Sequence, residues 1–196
     1  MILWTIQSYD VLQQLTQDGV YHCDPSKISM PEYTDQYDWL AKRMREKIGP
    51  PPEGIVYPVW AWYLWEGTHR KPDLCYLRWN WGRGGEQFVC MEIEIPDDQI
   101  VLSDEELWHH VLGDWLISDS EAEFDELEAK YNAQPPEEQR EFLRRNHERI
   151  FDVSPMDNGW TRHGKWIQAT FWELRLEQVR KVQKFGSVKR RKERIK

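Results

Sequence analysis

Three glutamates stand where a carboxylate must be accounted for. Glu92 and Glu94 form an E-x-E along a strand-like run, and Glu173 interrupts the apolar string Phe171-Trp172-Glu173-Leu174. A charge in such a strand costs several kcal/mol unless it is exposed or paired. A partly buried one can do acid–base or electrostatic work, so all three are candidates. The plainer alternatives are an exposed sheet face for Glu92 and Glu94, and for Glu173 a cross-strand pair with an Arg or Lys, Arg78 for example.

Aromatic side chains are the second candidate. Tryptophan occurs 12 times in 196 residues, and Trp60, Trp62, Trp65, Trp79 and Trp81 crowd into two neighbouring strand-like runs. A buried Trp removes about 150–250 Å² from water, so Trp60 and Trp62, which share a strand face, suit a core under a helix. They equally suit a platform for a flat ligand such as a nucleobase or sugar. Arg70-Lys71-Pro72-Asp73 adds a polar cluster between the Trp-rich runs.

Other chemistry lacks its residues. His109 and His110 are adjacent, so a helix points them apart, and no His pair has HExxH spacing. There is no G-x-S-x-G elbow and no Cys in a nucleophile signature. Gly82-Arg83-Gly84-Gly85 lacks the Lys-Ser/Thr of a phosphate loop and reads as a hairpin turn. Cys23, Cys75 and Cys90 form no CxxC pair, which disfavours a disulfide framework or zinc knuckle and fits a reducing, cytoplasmic setting. No apolar run approaches a membrane span and no charged-then-apolar signal opens the chain.

The elements that would position these residues follow from period and caps. Ile2 to Gln7 is β-favouring; Ser8 begins a helix with Val11, Leu12 and Leu15 on one face, and Gly19 stops it. Tyr37, Leu40, Ala41, Met44 and Ile48 stripe a second helix that ends at Gly49 and Pro50-Pro51-Pro52. Tyr57–Trp65, Leu74–Trp81 and Gln87–Ile95 read as strands, and Val89, Met91, Ile93 and Ile95 share one face. Capping boxes at Ser103/Glu106 and Ser120/Glu123 begin two helices, the first lined by Leu107, Val111, Leu112 and Trp115 and the next by Phe124, Leu127 and Tyr131, and Pro135-Pro136 opens a third. A strand from Trp166 to Leu174 and a short amphipathic stretch with Val179, Val182 and Phe185 follow. The pattern predicts one α+β domain over 1–185, with a split antiparallel or mixed sheet, N-terminal helices and an acidic helical insert, and a basic tail over 186–196.

Charge is uneven. The net −8 hides nine Lys/Arg against Glu193 from Arg180 to Lys196, and 17 basic against 33 acidic side chains before it, a −16 body with a +8 tail. Between Glu92 and Glu128 there are 14 Asp/Glu and no Lys or Arg. Such a body repels nucleic acid, whereas the tail alone attracts it.

Several strings resemble a bacterial family, domain of unknown function 3841. They are Leu3-Trp4-Thr5-Ile6-Gln7-Ser8, Tyr37-Asp38-Trp39, Tyr57-Pro58-Val59-Trp60-Ala61-Trp62-Tyr63, Pro72-Asp73, Glu94-Ile95-Pro96-Asp97-Asp98 with Leu102-Ser103-Asp104, and Gln168-Ala169-Thr170-Phe171-Trp172. The resemblance spans about residues 2 to 185 and implies a bacterial or phage cytoplasmic protein without assigning an activity. The strand, helix and glycine turn from Leu3 to Gly19 also resemble the opening of the ADP-ribosyltransferase-like fold. That resemblance implies an NAD-binding enzyme in which a glutamate, Glu94 or Glu173, holds the ribose. Trp4, Thr5, Gln7, Trp60 and Tyr63 would then lie near the dinucleotide, and Trp62, Arg70 and Gln168 complete the ligand-binding set. The departures are Trp4-Thr5 where that fold usually places Arg or His, and the lack of an S-T-S string. The alternative is a non-catalytic module that grips a ligand or partner through an aromatic cleft and an acidic surface.

Overall fold

In the computed structural model, which describes residues 1–25, 31–80 and 84–188, the first strand is β1 (Ile2–Ser8), and α1 (Tyr9–Asp18) follows from Ser8. Gly19, at φ 77, closes that helix by donating its N–H to the Leu15 carbonyl, and β2 (Val20–Tyr21) leaves the turn. A left-handed residue is what a helix end of this kind requires. Then come α2 (Thr34–Ile48), β3 (Val59–Leu64), α3 (Leu74–Asn80), β4 (Gln87–Glu94) and β5 (Val101–Asp104). The insert holds α4 (Glu105–Leu112), α5 (Glu121–Asn132), α6 (Pro136–Asn146) and a small hairpin, β6 (Met156–Asp157) with β7 (Arg162–His163). The chain returns through β8 (Ile167–Phe171), β9 (Leu174–Arg175) and β10 (Val179–Gly186).

Six strands form one antiparallel sheet in the order β10-β4-β1-β3-β8-β5, so the α+β class holds. Both faces of the sheet are covered. Leu3, Val59, Ala61, Val89, Met91, Ile93, Ala169 and Phe171 pack on one face with Leu15 of α1. On the other, Trp39, Leu40 and Met44 of α2 and Trp108 and Val111 of α4 meet Val101 and Trp172, while Leu74 and Leu77 of α3 cover Trp4, Ile6, Trp62 and Cys90. Each Val, Leu, Ile, Met or Phe among them contributes roughly 1.5–3 kcal/mol by leaving water. No helix among the described residues is long and apolar enough to cross a membrane.

Four local expectations change. Leu74–Trp81 is helical through Asn80 rather than a strand: Asp73 Oδ1 accepts the N–H groups of Cys75 and Tyr76 (2.8 and 3.3 Å), and Leu74 and Leu77 fall on one helical face. This overrides the β-preference of its aromatics, and the predicted hairpin gives way because β4 pairs with β1 and β10 instead. The turn residues Gly82 and Arg83, with Trp81, lie outside the described residues. Val179–Gly186 is an edge strand on β4, anchored where Phe185 stacks on Phe88 at 5.7 Å. The Trp166–Leu174 strand is split by a bend at Trp172 and Glu173 between β8 and β9. Finally, α4 is capped by Asp104, whose Oδ1 accepts the Leu107 N–H at 3.0 Å, not by Ser103, which is buried inside β5. At α5 the expected Ser120 cap is present, accepting from Glu123 N–H at 3.2 Å.

Candidate functional site

The sheet register distributes the predicted site residues. Glu92, Trp4, Trp62, Gln168 and Ser103 lie side by side across β4, β1, β3, β8 and β5. Trp4, Trp62 and Gln168 thus come together, but on the face under α3. Trp4 and Trp62 are only 7% and 8% exposed, and the Trp62 ring meets Trp65 edge-on at 4.9 Å. Neither of these two indoles is open for stacking. Trp60 packs on Trp108 at 5.4 Å. Thr5 and Gln7 point to the opposite face, where Thr5 Oγ1 donates to the Trp60 carbonyl (2.7 Å) and Gln7 Nε2 donates to Thr5 Oγ1 (2.8 Å). Tyr63 lies tilted against His69 at 4.9 Å, and Arg70 is ion-paired with Glu66.

The two candidate glutamates stay apart. Glu94 lies opposite Ile2, at the start of β1, and is ion-paired with Arg180. Glu173 follows Phe171, which pairs with Val59 at the far end of the antiparallel β3, roughly 20 Å away along the strands. Its carboxylate is held by His22 Nε2 (3.2 Å) and Arg175 Nε (2.6 Å), so its partners are these and not Arg78. The predicted set is therefore divided between two faces and two ends of the sheet.

A different group of aromatics does converge. The insert encloses a cavity of about 450 Å³ between α4, the loop after it, the start of α5 and the β6–β7 hairpin. Its walls are Trp115, Trp160, Phe124 and His110, and its polar groups include Glu106, Ser118 and Arg162. Trp115 and Trp160 are 62% and 46% exposed, unlike the tryptophans of the sheet. Trp160 lies 6.1 Å from Phe124, and His110 stands perpendicular to Trp115 at 5.9 Å.

Local chemistry fixes each wall. Asp114, at φ 51, turns the chain out of α4, and the Trp115 N–H returns to the His110 carbonyl at 2.9 Å. This folds the Trp115 ring so closely over Gly113 that a Cβ there would sit 2.7 Å from Cε2, hence the glycine. Beneath, His147 Nε2 donates to the Trp115 carbonyl (2.9 Å), and Asn146 clamps the backbone of Ile117 by accepting its N–H (2.7 Å) and donating to its carbonyl (2.9 Å). Arg149 bridges Asp119 (2.5 Å) and Glu123 (2.8 Å), and its guanidinium holds the Glu123 carboxyl below the usual range. The hairpin is tied across this floor by Asn158 Nδ2 on the Asp119 carbonyl (2.7 Å) and by Trp160 Nε1–H on Ser118 Oγ (3.0 Å).

Two acceptors remain. Glu106 Oε2 is buried without a hydrogen-bond partner, and burial, then the charges of Asp104 and Glu105, push its carboxyl above the ordinary value. His110 Nδ1 faces the Glu106 carbonyl at 3.3 Å; a carbonyl only accepts, so neutral His110 carries its proton on Nδ1 and keeps Nε2 as an acceptor. Aromatic walls with acceptors suit a planar ring bearing N–H donors. The acidic insert disfavours an attached phosphate. Sequence reasoning read Trp115 and Phe124 as helix-lining core. The available signal was position: Trp115 follows Gly113-Asp114 and Trp160 follows Asn158-Gly159, so both are aromatics on turns, outside any buried period.

Fold and cleft together define an α+β protein with a six-stranded antiparallel sheet and an aromatic cleft on a helical insert at one edge. The chain belongs to the family described as domain of unknown function (DUF3841), which matches residues 2–180. No curated protein and no solved structure matches the chain significantly.

Proposed function

We propose that the protein is a ligand-binding module whose insert cleft takes a planar nitrogenous ring, a nucleobase or nucleoside without phosphates. The observation that carries this reading is the pair of exposed indoles, Trp115 and Trp160, on one cavity that Glu106, with its Oε2 unpartnered, also lines. The ring stacks on the aromatic walls, and an exocyclic amine donates to Glu106. Calorimetric titration with adenosine, cytidine, uridine and AMP tests it. Adenosine and cytidine should bind about tenfold or more tightly than uridine, as loss of one buried hydrogen bond to a charged group implies, and AMP more weakly than adenosine. Trp160→Ala should abolish the heat, and Gly113→Ala should weaken binding by displacing Trp115. No saturable heat from any of the nucleosides, or unchanged binding by Trp160→Ala, overturns the reading.

A second reading, NAD-dependent ADP-ribosyltransferase-like activity, has a separate observation in its favour. The strand, helix, glycine turn and strand from Ile2 to Tyr21 lead directly to His22, which contacts Glu173. In that reading Glu173 is the acting glutamate, and Glu94, in its pair with Arg180, is not. Tryptophan fluorescence followed during an NAD titration should then quench saturably and lose that response in Glu173→Gln; no quenching at millimolar NAD rejects it.

A further inference from the structure

The two edges of the six-stranded sheet are finished differently. At β5, Val101, Ser103 and Asp104 are buried, and the turn at His147–Phe151 packs against the strand. At the other edge β10 pairs with β4 along one side only, and Arg180 to Lys184 are all exposed. The hydrogen bonds at its end fix which backbone groups face outward. Ser187 faces β4: its N–H donates to the Glu86 carbonyl (2.9 Å) and its carbonyl accepts the Gly85 N–H (3.2 Å). Gly186 faces away, and its carbonyl accepts from Arg78 Nε of α3 (3.3 Å). Alternate residues of an antiparallel strand turn both N–H and C=O to the same side, so Val182 and Lys184 also present theirs outward. Among the described residues, nothing bonds to these groups.

The side chains along this edge carry one sign. Lys181, opposite Glu92, stands on the face that α3 covers; Lys184, opposite Val89, stands on the face of α1, where its Nζ donates to Tyr9 Oη (2.9 Å). Lys71 Nζ joins them by donating to Gln183 Oε1 (2.6 Å). Among the described residues, Lys71, Arg78, Lys181 and Lys184 have no carboxylate at ion-pair distance, whereas Arg180 is paired with Glu94. Lysines on an edge strand guard it against neutral or like-charged strands. Self-pairing of two copies about Val182 would set Arg180 of each opposite Lys184 of the other, a like-charge pair that destabilises a ladder. A strand bearing carboxylates meets the opposite condition. Its side chains alternate between the faces, so it reaches Lys181 on one and Lys184 on the other.

We infer that the free edge of β10 is a docking site for an extended acidic peptide of another protein, which adds one more strand to the sheet. Main-chain bonds to Val182 and Lys184 hold the peptide, and Lys71, Arg78, Lys181 and Lys184 select carboxylates along it. The Arg78 contact closes the end at Gly186, so the added strand stops short of that residue. The surface is independent of the insert cleft.

The probe is a peptide as long as β10, eight residues alternating Glu and Val, titrated into the full chain by calorimetry. Two controls accompany it. The same peptide N-methylated at every residue keeps the charge but loses the donors, and a Lys-for-Glu peptide reverses the charge. The Glu peptide should bind saturably and about tenfold or more tightly than either control. Val182→Pro removes one outward N–H and spares the bonds to β4, so it should weaken the Glu peptide about tenfold at an unchanged Tm. Lys181→Glu with Lys184→Glu, both at exposed positions, should shift the preference to the Lys peptide. In amide exchange, Val182 and Lys184 should slow when the Glu peptide is added. Equal affinity for the Glu peptide and its N-methylated form, unaltered binding by Val182→Pro, or Val182 and Lys184 amides already protected in a dimer without peptide would overturn the inference.

Discussion

Asp104→Ala is expected to destabilise the fold by about 3–4 kcal/mol, measured as a lowered urea midpoint. Asp104 is fully buried, and both of its oxygens are used: Oδ1 accepts the Leu107 N–H at 3.0 Å and Oδ2 the Gly164 N–H at 2.5 Å. Loss of an N-cap costs about 1–2 kcal/mol, and loss of a hydrogen bond to a buried charge about 1.5–3 kcal/mol. The second bond matters because it holds the loop that returns from the insert. Gly164 lies at φ +82 with Pro155 so close that a Cβ would come within 2.4 Å of its Cα, so the loop has little freedom to relax around a missing acceptor. Asp104→Asn keeps one acceptor oxygen but sets an amide N–H₂ against an N–H donor, and should retain part of the stability. Ser103→Ala is the control. Its buried Oγ makes no hydrogen bond, so removing it should not destabilise the fold. Equal losses for Ser103→Ala and Asp104→Ala would show that the cap lies one residue earlier.

That contrast also marks where sequence was readable. Ser103 and Asp104 both satisfy the capping rule for the helix that follows. The choice between them depends on which side chain faces Gly164, a residue on a distant loop. Elements with a strict period and a hard stop were legible: α1 ending on Gly19, α2 ending before Pro50-Pro51-Pro52, and the Val89-Met91-Ile93 face of β4. The edge strand β10 was not. Five consecutive positions, Arg180 to Lys184, are exposed, so hydrophobic alternation has almost nothing to record. The tryptophans were legible in number but not in role. Those in strands fill the core because the sheet is covered on both faces, a fact of topology. The exposed pair, Trp115 and Trp160, meets only when the insert folds, and neither turn contains a periodic signal.

His147 should make stability fall with acidity on its own, by about 3 kcal/mol between pH 6.5 and 4. Its ring is fully buried, lying 6.0 Å from Trp39. Nε2–H donates to the Trp115 carbonyl at 2.9 Å, and Nδ1 lies 3.2 Å from Arg144 Nη1. A guanidinium has no lone pair to offer, so Nδ1 is the acceptor and the imidazole is neutral. Burial first, and then the Arg144 charge, push its pKa down to about 4 from the usual 6.5. Above pH 6.5 neither the folded nor the unfolded chain protonates it, and it contributes no pH dependence. Below 6.5 the unfolded chain binds a proton that the folded one refuses, so stability falls until the pH reaches about 4 and is flat in this contribution beyond. The gap between the two values corresponds to the 3 kcal/mol. His147→Gln keeps a donor and an acceptor without titrating, so subtracting its urea midpoints from those of the parent at pH 7, 5.5 and 4 isolates this residue from the carboxylates. Equal pH profiles for parent and variant would refute it.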